Sequence, residues 1–89
     1  MRGKTAVVTG STSGIGKGIA AALAEAGANV MLNGFGDAAE IEAQRVDLET
    51  RFGVKASYHG ADMTKPAEIR DLIDETEARH GDVDILVNN

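Results

Sequence analysis

The chain has no cysteine and no tryptophan, a single proline, and only one tyrosine and two phenylalanines. Without cysteine there is neither a disulfide nor a thiolate metal centre. So few aromatics argue against the stacking platform on which single-stranded nucleic acid lies. A formal net charge of −5 points the same way and disfavours an anionic membrane surface as well. No apolar run approaches the roughly 20 residues a bilayer requires. Met1-Arg2-Gly3-Lys4 leads straight into a strand pattern, not into the apolar core of a signal peptide. A soluble, cytoplasmic protein without nucleic-acid or membrane partners is the expectation. The 89 residues suffice for one small domain. A chain this short buries a modest share of its surface, so its stability is expected to be marginal.

What is present is glycine, 11 residues of it, placed as punctuation. Residues 5–9 read as a short buried strand. A helix is predicted over 14–26, with Ile15, Ile19, Ala22, Leu23 and Ala26 on one face, and Gly27 ends it. A second strand follows at 29–33. After the Gly34-Phe35-Gly36 turn, Asp37 is predicted to cap a helix over 38–52, with Glu40 as the return half of a capping box. Ile41, Leu48 and Phe52 form its inner side, and Gly53 ends it. Residues 54–60 read as the third strand. Thr64 is the expected cap of the third helix, and Pro66 sits in the first turn, where a missing N–H costs little. Ile69, Leu72, Ile73 and Thr76 keep helical spacing to His80, and Gly81 closes that helix. Residues 83–88 form the fourth strand. Each helix ends in glycine and returns quickly to a strand. That regularity predicts an α/β fold of right-handed crossovers, a Rossmann-type doubly wound parallel sheet.

The first turn carries chemistry. Thr9-Gly10-Ser11-Thr12-Ser13-Gly14-Ile15-Gly16 lies between a strand and a helix inside a βαβ unit. In that context Gly10 supplies the tight turn, Gly14 the close backbone approach and Gly16 the close helix–sheet contact. The helix N-terminus offers unpaired N–H groups and a partial positive charge, which suits the pyrophosphate of a dinucleotide. A ligand-free glycine turn is the plainer alternative.

With its TGxxxGIG turn, an Asp after the third strand, and Asn88-Asn89 after Asp84-Ile85-Leu86-Val87, the chain resembles the short-chain dehydrogenase/reductase family along all 89 residues. The resemblance implies strand order 3-2-1-4 and a first-half, dinucleotide-binding segment of a longer enzyme. It implies that Gly10, Thr12, Ser13, Gly14 and Ile15, closed by Gly16, line the adenosine and pyrophosphate. Asp62 would accept from the adenine amino group, Met63 would add a backbone contact, and Asn89 would lie near the adenine-side ribose. Asn88 would brace the sheet. A loop carboxylate near a helix cap is the competing reading of Asp62, and a polar strand end that of the asparagines.

The family's acidic or basic cofactor selector would stand at the end of the second strand. Gly34 occupies that place and Phe35 follows, with no basic residue between Lys17 and Arg45. A 2′-phosphate would meet Phe35 and no countercharge, so NAD is expected over NADP. Asp37 is better explained as a helix cap.

The family's catalytic Tyr-x-x-x-Lys has no match. Tyr58 is followed four residues on by Asp62 and reads as structural. No catalytic residue is therefore assigned. His59 and His80 lack a second ligand at metal spacing, so no metal site is expected, and His80 suits the negative end of a helix. Asp71, Asp74, Glu75 and Glu77 read as a solvated helix face. The residues from Leu32 to Glu42 resemble members of the family that oxidise a short hydroxy acid, which implies that class of small-molecule substrate. A homotetramer is the family expectation. Family members with another alcohol substrate, and a non-catalytic dinucleotide-binding module, remain the alternatives.

Overall fold

The computed structural model describes residues 1–89. Its elements are β1 (Thr5–Val8), α1 (Gly14–Glu25), β2 (Asn29–Asn33), α2 (Ala38–Phe52), β3 (Ala56–His59), α3 (Pro66–His80) and β4 (Ile85–Val87). All strand pairs are parallel, in the order β3-β2-β1-β4. The register sets Val7 beside both Met31 and Leu86, and Val30 beside Ala56. This is the predicted α/β, doubly wound sheet.

Side chains alternate across the strands, so β1 and β2 each feed two cores. Val8, Val30, Leu32 and Ala56 meet Ala20, Ala24 and Leu48, which places α1 and α2 on one face. Val7 and Met31 meet Leu72 of α3 on the other. Fully burying a residue such as Leu72 contributes about 1.5–3 kcal/mol.

β2 and α2 have the predicted bounds. Asp37 caps α2 by accepting from the Glu40 N–H at 3.0 Å, and Gly53 ends it in the left-handed conformation. Glu40 makes no return bond to the Asp37 N–H, so only half of the capping box forms. Three strands are shorter than expected: β1 ends at Val8, β3 starts at Ala56 and ends at His59, and β4 keeps only Ile85–Val87.

Two further expectations are corrected. The buried stripe of α1 is Gly16, Ala20 and Ala24; of the expected face, Ile19 and Leu23 pack half-buried against the same core, whereas Ala22 and Ala26 are exposed and Ile15 is 77 % exposed. Small residues win that face because the helix lies too close to the sheet for larger ones. Thr64 does not cap α3. Lys65 holds the cap position, and the Thr64 hydroxyl instead bonds Asp62 Oδ1.

Candidate functional site

The glycine turn emerges from the C-terminal end of β1, beside the exits of β2 and β4. Ligands of open parallel sheets bind at this end of the strands. Gly10 and Gly14 hold φ of 60° and 58°, a conformation that costs glycine nothing. Ser13 begins α1 in extended conformation, and no side chain caps the helix. Its first N–H groups therefore face outward, available to an anion.

Four segments surround a cleft of about 430 Å³: the glycine turn, the β2 exit, the loop after β3, and the residues after β4. Gly10, Thr12, Ser13, Phe35, Asp62, Met63 and Asn89 line it, as does Asn88. Three of the expected residues stand apart from it. Gly14 and Ile15 are exposed on the first turn of α1, and Gly16 is buried beneath the turn.

The walls are tied by hydrogen bonds. Thr12 Oγ1 donates to the Phe35 carbonyl at 2.8 Å, and Gln44 Nε2 donates to the Ser11 carbonyl at 2.8 Å. The Tyr58 hydroxyl donates to the Gly34 carbonyl, which gives Tyr58 the structural role expected for it. Gly34, at φ 146°, packs so close to Thr12 that an added Cβ would stand 2.5 Å from Thr12 Oγ1. Asn89 braces the turn: its N–H donates to Thr9 Oγ1 at 3.0 Å and its Nδ2 to the Gly10 carbonyl at 3.2 Å. Asn88 Oδ1 lies 3.4 Å from the same Thr9 hydroxyl.

Asp62 Oδ1 accepts from the N–H and hydroxyl of Thr64, at 2.9 and 2.7 Å. These bonds, with Lys65 nearby, hold its carboxyl below the usual range. The second oxygen, Oδ2, makes no hydrogen bond to protein, so the loop-cap role and a ligand role are compatible.

A second cleft, about 490 Å³, adjoins the first across Phe35. Lys17 lines it together with Asp37, Glu40 and Asp47. Lys17 is the one cation among the lining residues, against three carboxylates. A third cleft of similar size lies at the β3 edge, along Arg45, Glu49 and Lys55, away from the glycine turn.

One histidine differs from expectation. His59, Asp71 and Glu75 converge, with donor atoms within 4.8 Å of one another. Asp71 and Glu75 lie about one turn apart on the face of α3 that meets His59 of β3, a proximity that linear spacing does not reveal. The Ala61 N–H donates to His59 Nδ1 at 3.1 Å, which leaves the ring proton on Nε2, aimed at Asp71 Oδ2 at 2.7 Å. A metal on Nε2 would require the opposite tautomer, so the trio acts as a hydrogen-bonded cluster. Asp71 and Glu75 are therefore partners of His59, and Glu75 also pairs with Arg79 at 2.9 Å. His80 stands in the last turn of α3, as expected. Burial, then Lys55 and Arg79, lower its pKa, and Glu49 only partly opposes them.

Sequence reasoning missed Asn33 and Ser11, which are buried at the heart of the site. The signal was a polar residue ending the otherwise apolar run Val30-Met31-Leu32-Asn33.

A model of the family described as short chain dehydrogenase matches residues 4–89. The chain is 54 % identical over 89 residues to the D-beta-hydroxybutyrate dehydrogenase of Cupriavidus necator, covering 100 % of this chain and 34 % of that protein. It is 52 % identical over 86 residues to the enzyme of the same name from Rhizobium meliloti, covering 97 % of this chain and 33 % of the relative. The structure is similar to L-sorbose reductase from Gluconobacter frateurii complexed with NADPH and L-sorbose, with a TM-score of 0.90 at 34 % identity, covering 100 % of this chain and 34 % of that one. The chain thus spans about a third of the length of the relatives it matches.

Proposed function

The chain belongs to the short chain dehydrogenase family, and on that premise we propose that it is the cofactor-binding part of an NAD-dependent dehydrogenase that interconverts D-3-hydroxybutyrate and acetoacetate. The glycine turn and the free N-terminus of α1 receive the pyrophosphate. Asp62, through Oδ2, and the Met63 backbone receive the adenine, and Asn89 flanks the ribose next to it. When bound, the dinucleotide supplies the hydride acceptor at its nicotinamide. The hydroxy acid loses that hydride from C3 and the proton from its hydroxyl. The tyrosine and lysine that the family uses for the proton have no counterpart in these residues, which bind and orient.

The observation that carries the NAD reading is the exit of β2. Gly34 is buried, Phe35 is 72 % exposed, and the adjoining cleft holds three carboxylates against one lysine. A 2′-phosphate there would be repelled, whereas a ribose hydroxyl carries no charge to repel. The substrate reading rests on the two hydroxybutyrate dehydrogenase relatives, which exceed the 40 % identity to the 3-oxoacyl-[acyl-carrier-protein] reductase of Staphylococcus epidermidis. Steady-state assays of the intact enzyme test both. A lower KM for NAD than for NADP with D-3-hydroxybutyrate is expected. Preference for NADP overturns the cofactor reading, and turnover of only 3-oxoacyl thioesters overturns the substrate reading.

A further inference from the structure

Resting on that cofactor reading, we propose that Asn33 is a positioning residue for the dinucleotide: its buried amide holds the loop of Asp62 and Met63 in register with the glycine turn. Asn33 ends β2 with 2 % of its surface exposed. Its Nδ2 donates to the carbonyls of His59 and Ala61, both at 3.0 Å. Its Oδ1 accepts from the Gly10 N–H at 3.4 Å. Its backbone pairs with Ser11, whose N–H and hydroxyl reach the Asn33 carbonyl and whose Oγ accepts the Asn33 N–H at 2.9 Å. Both amide protons are thus used, and three chain segments meet on one side chain.

Asn33 is the one side chain hydrogen-bonded to both walls. The other bonds of the loop after β3 are local or run to α3. The Ala61 N–H reaches His59 Nδ1, the Asp62 N–H reaches Glu68 Oε1 at 2.9 Å, and Thr64 turns back on Asp62. The glycine turn is held by Ser11, Gln44 and Asn89. Remove the Asn33 amide and each wall keeps its own anchors but loses the polar link that sets the span between them. That span is what a ligand with adenine at one end and pyrophosphate at the other must match. Asn33 lies in the floor of the cleft with almost none of its surface exposed, so its effect falls on binding of the adenosine half, equally in ground and transition states.

The test uses the intact enzyme with Asn33→Leu, which keeps the approximate shape and loses both donors without adding a charge. Asn33→Ser serves beside it, because it leaves room for water should the first variant not fold. Dinucleotide KM and AMP Kd are expected to rise together by about tenfold, the scale of a lost buried hydrogen bond. The kcat at saturating cofactor is expected to stay within about twofold, as for loss of uniform binding. In the wild-type enzyme, AMP is expected to slow amide exchange in residues 10–13 and 61–63 together. Unchanged AMP affinity in a folded variant, a fall in kcat without a rise in KM, or protection of one segment alone overturns the positioning role. A wild-type enzyme that binds neither AMP nor dinucleotide overturns the cofactor reading itself.

Discussion

A Cβ placed on Gly16 would stand 2.1 Å from the Gly10 carbonyl oxygen and 2.6 Å from Asn89 Nδ2. Helix α1 therefore packs against its own leading turn with no room for a methyl group. Gly16→Ala should destabilise the protein by about 1–3 kcal/mol through overpacking, although alanine is the better helix former. Chemical denaturation checks the stability, and the dinucleotide KM should rise in the same variant because the turn must move. Gly18→Ala, with open space around it, is the control and is expected to be neutral or stabilising.

Phe35 tests the discrimination between cofactors. It is exposed and contributes nothing to the two cores, so its replacement should leave the fold intact. Phe35→Arg should lower the KM for NADP by about tenfold, the worth of one new charged partner for a 2′-phosphate. The KM for NAD should change little. No gain toward NADP would place the discrimination elsewhere.

His80 makes stability depend on pH. Its Nε2 lies 3.0 Å from Ser57 Oγ, and its Nδ1 is buried without a partner. Burial, reinforced by Lys55 and Arg79, depresses its pKa below the usual 6.5. In the unfolded chain the ring takes up a proton that the folded state resists. The stability is therefore complete above about pH 6.5 and declines as the pH falls below it. Urea titrations at pH 7.5 and 5.5 should show this loss, and His80→Gln should flatten it. A slope unaltered in that variant would assign the acid sensitivity to other groups.

The outer edge of β3 is covered by side chains of α2. The Ala56 N–H donates to Glu49 Oε2 at 3.0 Å, and its carbonyl accepts from Arg45 Nη1 at 3.2 Å. Arg45 and Glu49 are also paired with each other at 2.9 Å. Together they occupy the N–H and carbonyl of Ala56, two of the groups that an added strand would use. Glu49→Ala should expose this edge and raise self-association, measured by light scattering at fixed concentration, whereas Thr50→Ala beside it should not. Equal scattering from both variants would remove the protective role.

Much of the fold was legible because its signals are local. Gly53 and the Asp37 cap bound α2, and glycine closes each helix, so α2 and β2 came out with their observed limits. On α1 hydrophobicity is only a partial guide to burial: Ile19 and Leu23 reach the core, and Ile15 does not. There the close approach to the sheet selects Gly16, Ala20 and Ala24 over Ile15. The cap of α3 falls on Lys65, one residue beyond Thr64, because the first helical N–H groups, those of Glu68 and Ile69, close on the Lys65 carbonyl while Thr64 turns back on Asp62.

By itself the sequence determined the order of strands and helices, the glycine turn between β1 and α1, and the lack of a charged residue directly after β2. Each of these depends on residues close together along the chain, through backbone freedom, helical period or turn chemistry. Only the tertiary structure decided that Asn33 joins the glycine turn to the loop after β3, and that Asp71 meets His59. It also decided that Lys17 lines one cleft with Phe35, Asp37, Glu40 and Asp47. Those relations arise where parallel strands end side by side, and parallel pairing places neighbours a whole crossover apart in sequence.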